Sequence, residues 1–399
     1  PDFDLIFRST AFLAEPVIVV ALSGGSDSTA LLLQTKERVS PTPRIVAVTV
    51  DHGLRPESAH EAMAVTMHCA THHIEHRIMR WNDMKPKTGI QAAARSARYA
   101  LLAEAARDLG GRLVLAGHTA DDQAETIYMR RQRGEGLGLS GIAPLTLYER
   151  KVWFARPQLG RRRADLREEL RQRGVGWIDD PSNDNDAFER VRVRRELSAL
   201  SGHDFDRLIE TGIQAAARRV ELGRQAARLI DRHARRRGCE NEFENISISS
   251  PRGRGQSAGA SARFLSGGVR PARSAEPDRI SLDTAFLDED GDAAIHVLRI
   301  LLAVVGGHVQ LPDLQRSAAL FRQLKDEERG RFSLARAVIA RQKDEILLTR
   351  ERRGKNFPMA AEPALRSPWR RLLSWFDTEP ARAVDQLLGK MPPPALPWP

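Results

Sequence analysis

Residues Val17–Leu22 form an unbroken apolar run, VIVVAL, that leads directly into Ser23-Gly24-Gly25-Ser26-Asp27-Ser28 and then into a helical pattern. This junction constrains the fold more than any other stretch of the chain. A mostly β-branched run without polar alternation fits a strand covered on both faces, as in a parallel sheet. The two glycines let the backbone turn sharply and approach an anion with no Cβ in the way. A helix starting just beyond them presents unpaired N–H groups and the positive end of its dipole, which suits a pyrophosphate. Ser23, Ser26 and Ser28 add hydroxyl donors. Asp27 would be repelled by phosphate, so a role for it there calls for a bridging Mg²⁺. A lone Ser-Gly-Gly could equally be a capped turn, but the whole string behind a buried strand is far more specific. It is not the G-x-x-x-x-G-K-[ST] pattern.

Two further apolar runs, Ile45–Val50 and Arg112–Ala116, alternate with helical stretches. Together they predict a doubly wound α/β domain with a parallel sheet over residues 1–150. At 399 residues the chain exceeds one ordinary core. Helical, arginine-rich sequence follows over 151–240, with patterns at Arg163–Gly174 and Phe205–Arg237. A Ser/Gly/Pro/Arg-rich stretch, 241–278, reads as a flexible linker. Residues 279–355 predict a small α+β domain, with helices at Ala293–Val305 and Leu311–Leu324 and strands at Ala337–Ala340 and Glu345–Thr349. A tail, 356–399, holds Trp369, Trp375 and Trp398 among prolines and is assigned no structure.

Lys plus Arg number 62 against 52 Asp plus Glu, a net charge of +10. Arginines concentrate between Arg156 and Arg237, which favours a polyanionic partner. Arg161, Arg162 and Arg163 are candidate phosphate contacts, although a solvated basic face accounts equally well for any one of them. Cys69 and Cys239 are far apart and form no C-x-x-C, so neither a zinc site nor a thiol relay is expected. No run reaches the ~20 apolar residues of a membrane span, and Pro16–Leu22 lacks the features of a signal peptide. A cytoplasmic enzyme is expected.

Gly117–Thr126, GHTADDQAET, follows the third strand and opens a helix. Asp122 and Glu125, three apart, share a helical face. Two acids beside an ATP site need a cation between them: an amino-acid ammonium, a lysine side chain or Mg²⁺. Thr119 with Asp122 also imitates a capping box, which leaves Glu125 unexplained. Between Gln91 and Gly110, the apolar face Leu102, Ala105, Ala106 and Leu109 continues towards Arg95 and Arg98, which therefore face a cleft or snorkel to water. Asp51, closing the second strand, is placed either to contact ribose or adenine or simply to form a turn.

The loop Ser23–Ser28 resembles the SGGxDS loop of the ATP pyrophosphatase (PP-loop) superfamily, whose members cleave ATP between the α and β phosphates and transfer AMP. More narrowly, DHGLRPES (Asp51–Ser58), QAAARSARY (Gln91–Tyr99), GHTADDQAET, RGEGLGLSGI (Arg133–Ile142), DDPSN (Asp179–Asn183) and FERVRVR (Phe188–Arg194) occur in the order of the tRNA(Ile)-lysidine synthetase family. The resemblance implies adenylation of the wobble cytidine of the isoleucine tRNA with a CAU anticodon, followed by attack of free L-lysine. Carried over, Ser23, Gly24, Gly25, Ser26, Asp27, Ser28 and Asp51 would bind ATP, with Asp27 holding Mg²⁺. Asp122 and Glu125 would hold lysine, Arg98 would stabilise developing charge, and Arg190 would lie near lysine or the activated base. Val191 stands where the family usually has asparagine, and His118-Thr119 where it often has two histidines. The rivals are a PP-loop tRNA thiolase, an amidating synthetase, and a non-catalytic nucleotide- or RNA-binding protein.

Overall fold

The computed structural model describes residues 15–351, apart from 40–41, 54–57, 87, 135–136, 150, 180–188, 238–278, 290 and 309–310. Cys239, the linker 241–278, the tail with its tryptophans, and most of DDPSN therefore lie outside the described residues, as do Leu54–Glu57 of DHGLRPES. What is described falls into two compact units, one up to Gln225 and one from Ala226 onward.

The first unit is built on β1 (Val17–Ala21), β2 (Arg44–Asp51), β3 (Glu75–Arg80), β4 (Leu113–Ala116), β5 (Leu145–Tyr148) and β6 (Val152–Ala155). The sheet order is β3-β2-β1-β4-β6-β5. All neighbours are parallel except β5, which pairs antiparallel with β6. The sheet thus continues past residue 150. β1 has the alternation expected of a strand covered on both sides. Ile18 and Val20 pack with Leu31, Leu32, Val65 and Leu115 on one face, while Val17, Val19 and Ala21 pack with Leu102, Ala106 and Phe154 on the other. Helix α1 (Ser26–Val39) and α2 (Ser58–Thr71) contribute to the first face, and α3 (Ile90–Asp108) to the second. The face read from the sequence of α3 is the one that packs: Leu102, Ala105 and Ala106 are buried and Leu109 is partly buried.

From β1 the chain winds outward through β2 to β3, then crosses to β4 on the other side. Ala21 lies level with both Val48 and Ala116, so the loops after β1 and β4 emerge side by side. A reversal of strand order of this kind opens a crevice at the carboxyl ends of the strands. Three elements close over it: α4 (Ala120–Gln132), α5 (Arg163–Gln172) and α6 (Glu189–Ser198). α5 is fixed to α1 by a small core of Ala30, Leu33, Leu166 and Leu170. α6 and the start of α7 (Gly202–His233) pack on α4 through Ala124, Ile127, Val193, Leu197, Phe205 and Leu208.

In the second unit, β7 (Ala234–Arg237), β8 (Arg279–Asp283), β9 (Gly330–Leu334), β10 (Ala337–Arg341) and β11 (Glu345–Arg350) form an antiparallel sheet in the order β7-β8-β11-β10-β9. Helices α8 (Gly291–Gly306) and α9 (Leu314–Asp326) complete it. Val297, Leu298, Leu301 and Leu302 of α8 are fully buried, as are Ile280, Ile339, Ile346 and Leu348 of the sheet. His233 is held between Asp283 and Glu289, 2.8 Å from each carboxylate. The two helices and β10 and β11 match the sequence expectation, and β8 and β9 are additional; β7 replaces the end of the stretch Phe205–Arg237 expected to be helical, because Ala234–Arg237 pairs with β8.

The Leu166 side chain is fully buried where α5 meets α1. Leu166→Ala should destabilise the first unit by about 2–5 kcal/mol, the range for a buried leucine that leaves a cavity. Urea denaturation followed by circular dichroism measures this.

Candidate active site

The loop after β1 is shaped by its own side chains. Ser28 Oγ donates to Gly25 O (3.0 Å) and accepts from Ser23 N (3.2 Å), so this hydroxyl closes the turn on itself. Thr29 Oγ1 donates to Gly24 O (3.3 Å). Gly24 has φ +85°, and a Cβ there would stand 2.8 Å from Val65 and 2.9 Å from Ile178. Only glycine fits both the conformation and the space. Gly117 serves the neighbouring loop: a Cβ on it would lie 3.0 Å from Asp27 O, so its absence lets the loop after β4 press against the start of α1. The first N–H groups of α1 have no intrahelical acceptors and point out of this turn.

Thr119 caps α4, its hydroxyl accepting from Asp122 N while Asp122 Oδ2 accepts from Thr119 N (2.9 Å). The capping box read from the sequence is present and takes one oxygen of Asp122. The other, Oδ1, lies 3.3 Å from a guanidinium nitrogen of Arg163. The same guanidinium is 2.8 Å from Asp27 Oδ2 and 3.7 Å from Glu125 Oε1. One arginine therefore joins the loop after β1 to both acids of α4. It is held in place at its backbone, where Arg163 N donates to Asp121 Oδ2 (2.7 Å) at the start of α5. Next along α5, Arg167 reaches Ser26 Oγ (3.3 Å) and Asp179 (3.0 Å).

Glu125 is 1% exposed. Besides Arg163, its Oε1 accepts from Arg194 Nε (2.9 Å), and its Oε2 lies 3.7 Å from Arg190 Nε. Oε2 has no hydrogen-bond partner among the described residues. Burial opposes the charge of Arg163, yet Asp122, Asp27 and Glu125 together hold its proton more firmly than usual. Burial likewise opposes the charge of half-buried Asp122, but Arg163, His118, the Thr119 N–H and Arg190 together outweigh that penalty and keep its carboxyl below the ordinary range. A cavity of about 360 Å³ opens over this cluster, bordered by Glu125, Arg163, Arg167, Arg194 and Phe205.

A second cavity, about 210 Å³, lies against α3 and the ends of β2 and β4 and is lined by His52, Arg95, Arg98, Tyr99 and His118. Burial, then the neighbouring Arg156, pushes His118 down to about 3, so its ring is neutral near pH 7. Arg98 is half-buried, and no carboxylate pairs with it among the described residues. Arg95 stacks over Tyr99, 5.5 Å from the ring centre. Asp51, at the end of β2, accepts from Gly53 N (2.9 Å), the turn geometry that is one of the two roles its position offers.

The family model of the PP-loop domain matches residues 6–200. A tRNA(Ile)-lysidine synthase from Mesorhizobium japonicum is 44% identical over 363 residues, covering 88% of this chain and 70% of that protein. Another from Rhizobium meliloti is 37% identical, over 90% of this chain and 73% of its own. The chain belongs to the tRNA(Ile)-lysidine synthase family. Among solved structures, the U34-tRNA thiolase NcsA from Methanococcus maripaludis covers 53% of this chain, at 16% identity and a TM-score of 0.44.

Of the residues singled out in the sequence of this family member, the structure gathers Asp27, Asp122, Glu125 and Arg190 around one point, and puts Arg98 in the lining of the second cavity. Arg163, read as a candidate phosphate contact on an outer face, is instead drawn inward among the acids. Arg161 and Arg162 do lie outward, paired with Glu169 (3.3 Å) and Asp121 (3.4 Å). Arg167 and Arg194 were not distinguished from the other arginines. The only available signal was their placement: Arg190 and Arg194 are one helical turn apart, as are Arg163 and Arg167.

His118 ordinarily titrates near 6.5 and near 3 when folded, so between these values the unfolded chain binds a proton that the folded chain does not. Stability should therefore fall as pH drops from about 6.5 towards 3, by at most about 1.4 kcal/mol per unit. Asp122, with its lowered carboxyl, loses its contribution in the same direction. Urea melts at stepped pH should show a shallower decline for His118→Asn than for the unsubstituted chain.

Proposed function

We propose that this chain is the ligase that forms lysidine: it transfers AMP from ATP to the C2 oxygen of the wobble cytidine in the isoleucine tRNA with a CAU anticodon, releasing pyrophosphate, and then lets the ε-amine of free L-lysine displace AMP. The observation that carries this reading is the meeting of Asp27, Asp122 and Glu125 on a single cationic position beside the glycine loop. Acids at such close quarters are built to receive cations. The reaction brings two, a metal with the triphosphate and a lysine ammonium.

In this reading the backbone of Ser23–Ser28 cradles the phosphates at the head of α1, and Ser26 steadies Asp27 by a hydrogen bond (3.1 Å). Among the described residues no three His, Cys, Asp or Glu side chains gather as a metal cage. Mg²⁺ at Asp27 would therefore complete its shell from phosphate oxygens and water, its usual habit with nucleotides, and would neutralise charge on the α-phosphate. Arg98, which no carboxylate pairs in direct contact among the described residues, is available to meet negative charge that develops in transfer. Asp122 and Glu125 hold lysine, and a carboxylate there can take the proton that the amine must lose before it attacks. Arg190, at the open side of Glu125, lies where lysine or the activated base arrives. Neutral His118 borders the cavity as a hydrogen-bonding group and adds no positive charge.

Thiolation is disfavoured on chemical grounds. Cys69 is buried and its thiol is pushed up to about 11 by that burial, so it makes a poor nucleophile. Arg161 and Arg162 serve as tRNA phosphate contacts, and the residues from Arg279 onward as a further tRNA-binding part. A cytoplasmic location follows from the substrate.

Incubation with ATP, lysine and the tRNA should release AMP and pyrophosphate, and mass spectrometry should find lysine joined to the wobble cytidine; sulfide or glutamine should not replace lysine. Asp27→Ala should abolish adenylation. Glu125→Gln should raise the KM for lysine about 10- to 100-fold, the loss expected for a charged hydrogen bond, and leave that for ATP within twofold or so. A lysine dependence untouched by Glu125→Gln removes the residue from this role.

A further inference from the structure

Arg163 occupies the place that both cations of the reaction need. Its guanidinium is 2.8 Å from Asp27 Oδ2 and also meets Asp122 (3.3 Å) and Glu125 (3.7 Å). Among the described residues no other guanidinium comes as close to Asp27 or Asp122: Arg190 and Arg194 reach Glu125, while Arg98 and Arg190 act on Asp122 from further away. Such crowding of like charge is costly where water is scarce. The arrangement around Glu125 is nevertheless incomplete, because its deeply buried Oε2 accepts no hydrogen bond among the described residues. That oxygen can accept a hydrogen bond from an incoming donor.

We propose that Arg163 is the resident counter-ion of the empty reaction centre, standing in for the metal at Asp27 and for the substrate ammonium at Asp122 and Glu125, and that it passes to the triphosphate once those cations arrive. The inference rests on the functional reading above. Its geometry is local. Arg163 is anchored through its backbone N–H to Asp121 (2.7 Å) and α5 is fixed to α1 by Leu166 and Leu170, so only the side chain has to move. Its flexible stem starts at the first residue of α5, next to the glycine loop, where Arg167 already touches Ser26. A guanidinium released from three carboxylates beside the glycine loop can turn to the polyphosphate, and planar guanidinium suits phosphate oxygens.

The consequence is a pair of effects with opposite signs, which a merely structural arginine would not produce. A cation that competes with lysine and metal lowers their apparent affinity by the fraction of molecules it holds closed. Removing it should tighten both. Removing a phosphate contact should weaken ATP.

The test uses the full chain and measures binding without turnover. Calorimetric titration with L-lysine, and Mn²⁺ titration followed by paramagnetic resonance, both without nucleotide, should give affinities roughly tenfold tighter for Arg163→Gln. Mg–ATP binding to the same variant should be weaker. Arg163→Lys keeps a cation in place and should restore the weaker lysine and Mn²⁺ binding while leaving ATP binding impaired. It also serves should the glutamine variant fail to fold, since lysine and Mn²⁺ affinities raised as far as a neutral residue would raise them contradict a charge-based role. Lysine and Mn²⁺ affinities that are unchanged or lower in Arg163→Gln overturn the proposal. The functional reading fails separately, if the unsubstituted chain shows no lysine-dependent release of pyrophosphate with the tRNA, while the Mn²⁺ titration still reads Arg163 against Asp27.

Discussion

Like charges brought together where water is thinned must be compensated, and the catalytic unit is organised around one instance of that rule. Asp27, Asp122 and Glu125 come from two helices that begin at the ends of adjacent parallel strands. Adjacent parallel strands put the following loops side by side, and a helix that starts after each points its first turn into the same crevice. Asp27 and Asp122 sit in those first turns and are favoured by the helix dipoles, but Glu125 lies a turn further along and gains little from them. The remaining conflict, between the helices and along α4, is met by an arginine delivered from α5. Placement of α5 is therefore as much a part of the site as the glycine loop, although it lies over a hundred residues further along the chain.

The two small-residue positions at this edge have different jobs. Gly24 supplies a left-handed turn and leaves room for Val65 and Ile178, so it shapes the phosphate loop. Gly117 allows the loop after β4 to touch the backbone of Asp27 and Ser28, so it sets the spacing between the acids. The hydroxyl of Ser28 closes the turn by bonding to Gly25 and Ser23. Side-chain donors that sequence alone offers to a phosphate are thus partly engaged in holding the loop open, which leaves the backbone N–H groups as the main cradle.

Much of this was legible in the sequence, for identifiable reasons. β1, β2 and β4 are buried on both faces and read as plain apolar runs. The capping box at Thr119 and the i, i+3 pair on α4 are local patterns that need no tertiary knowledge. β3 escaped because it is an edge strand, EHRIMR, mostly polar and exposed, whose half-buried positions are His76 and Met79 while Ile78 lies exposed. β5 and β6 are four residues each, too short for periodicity to speak. Arg163 was misjudged for a different reason. Three arginines in a row, Arg161–Arg163, carry identical local signals, and only the fold decides that the third turns inward to Asp27 while the first two stay with Glu169 and Asp121. Charge location along a chain predicts a basic region well and the partner of any one residue poorly.

The spacing of Asp122 and Glu125 has a consequence beyond their sharing a face. Asp122 acts electrostatically on His118 and Arg98, both of which line the smaller cavity against α3. Glu125 instead borders the larger cavity, where Arg194 donates to the same Oε1 that faces Arg163. One helical turn of α4 therefore separates a carboxylate that bears on residues of the smaller cavity from one that lines the larger. The smaller cavity combines the neutral ring of His118 with the cations of Arg95 and Arg98, whereas the larger sets a buried acid among arginines. A pair of acids three residues apart on one helix can thus serve two unlike surroundings, one through space and one by direct contact.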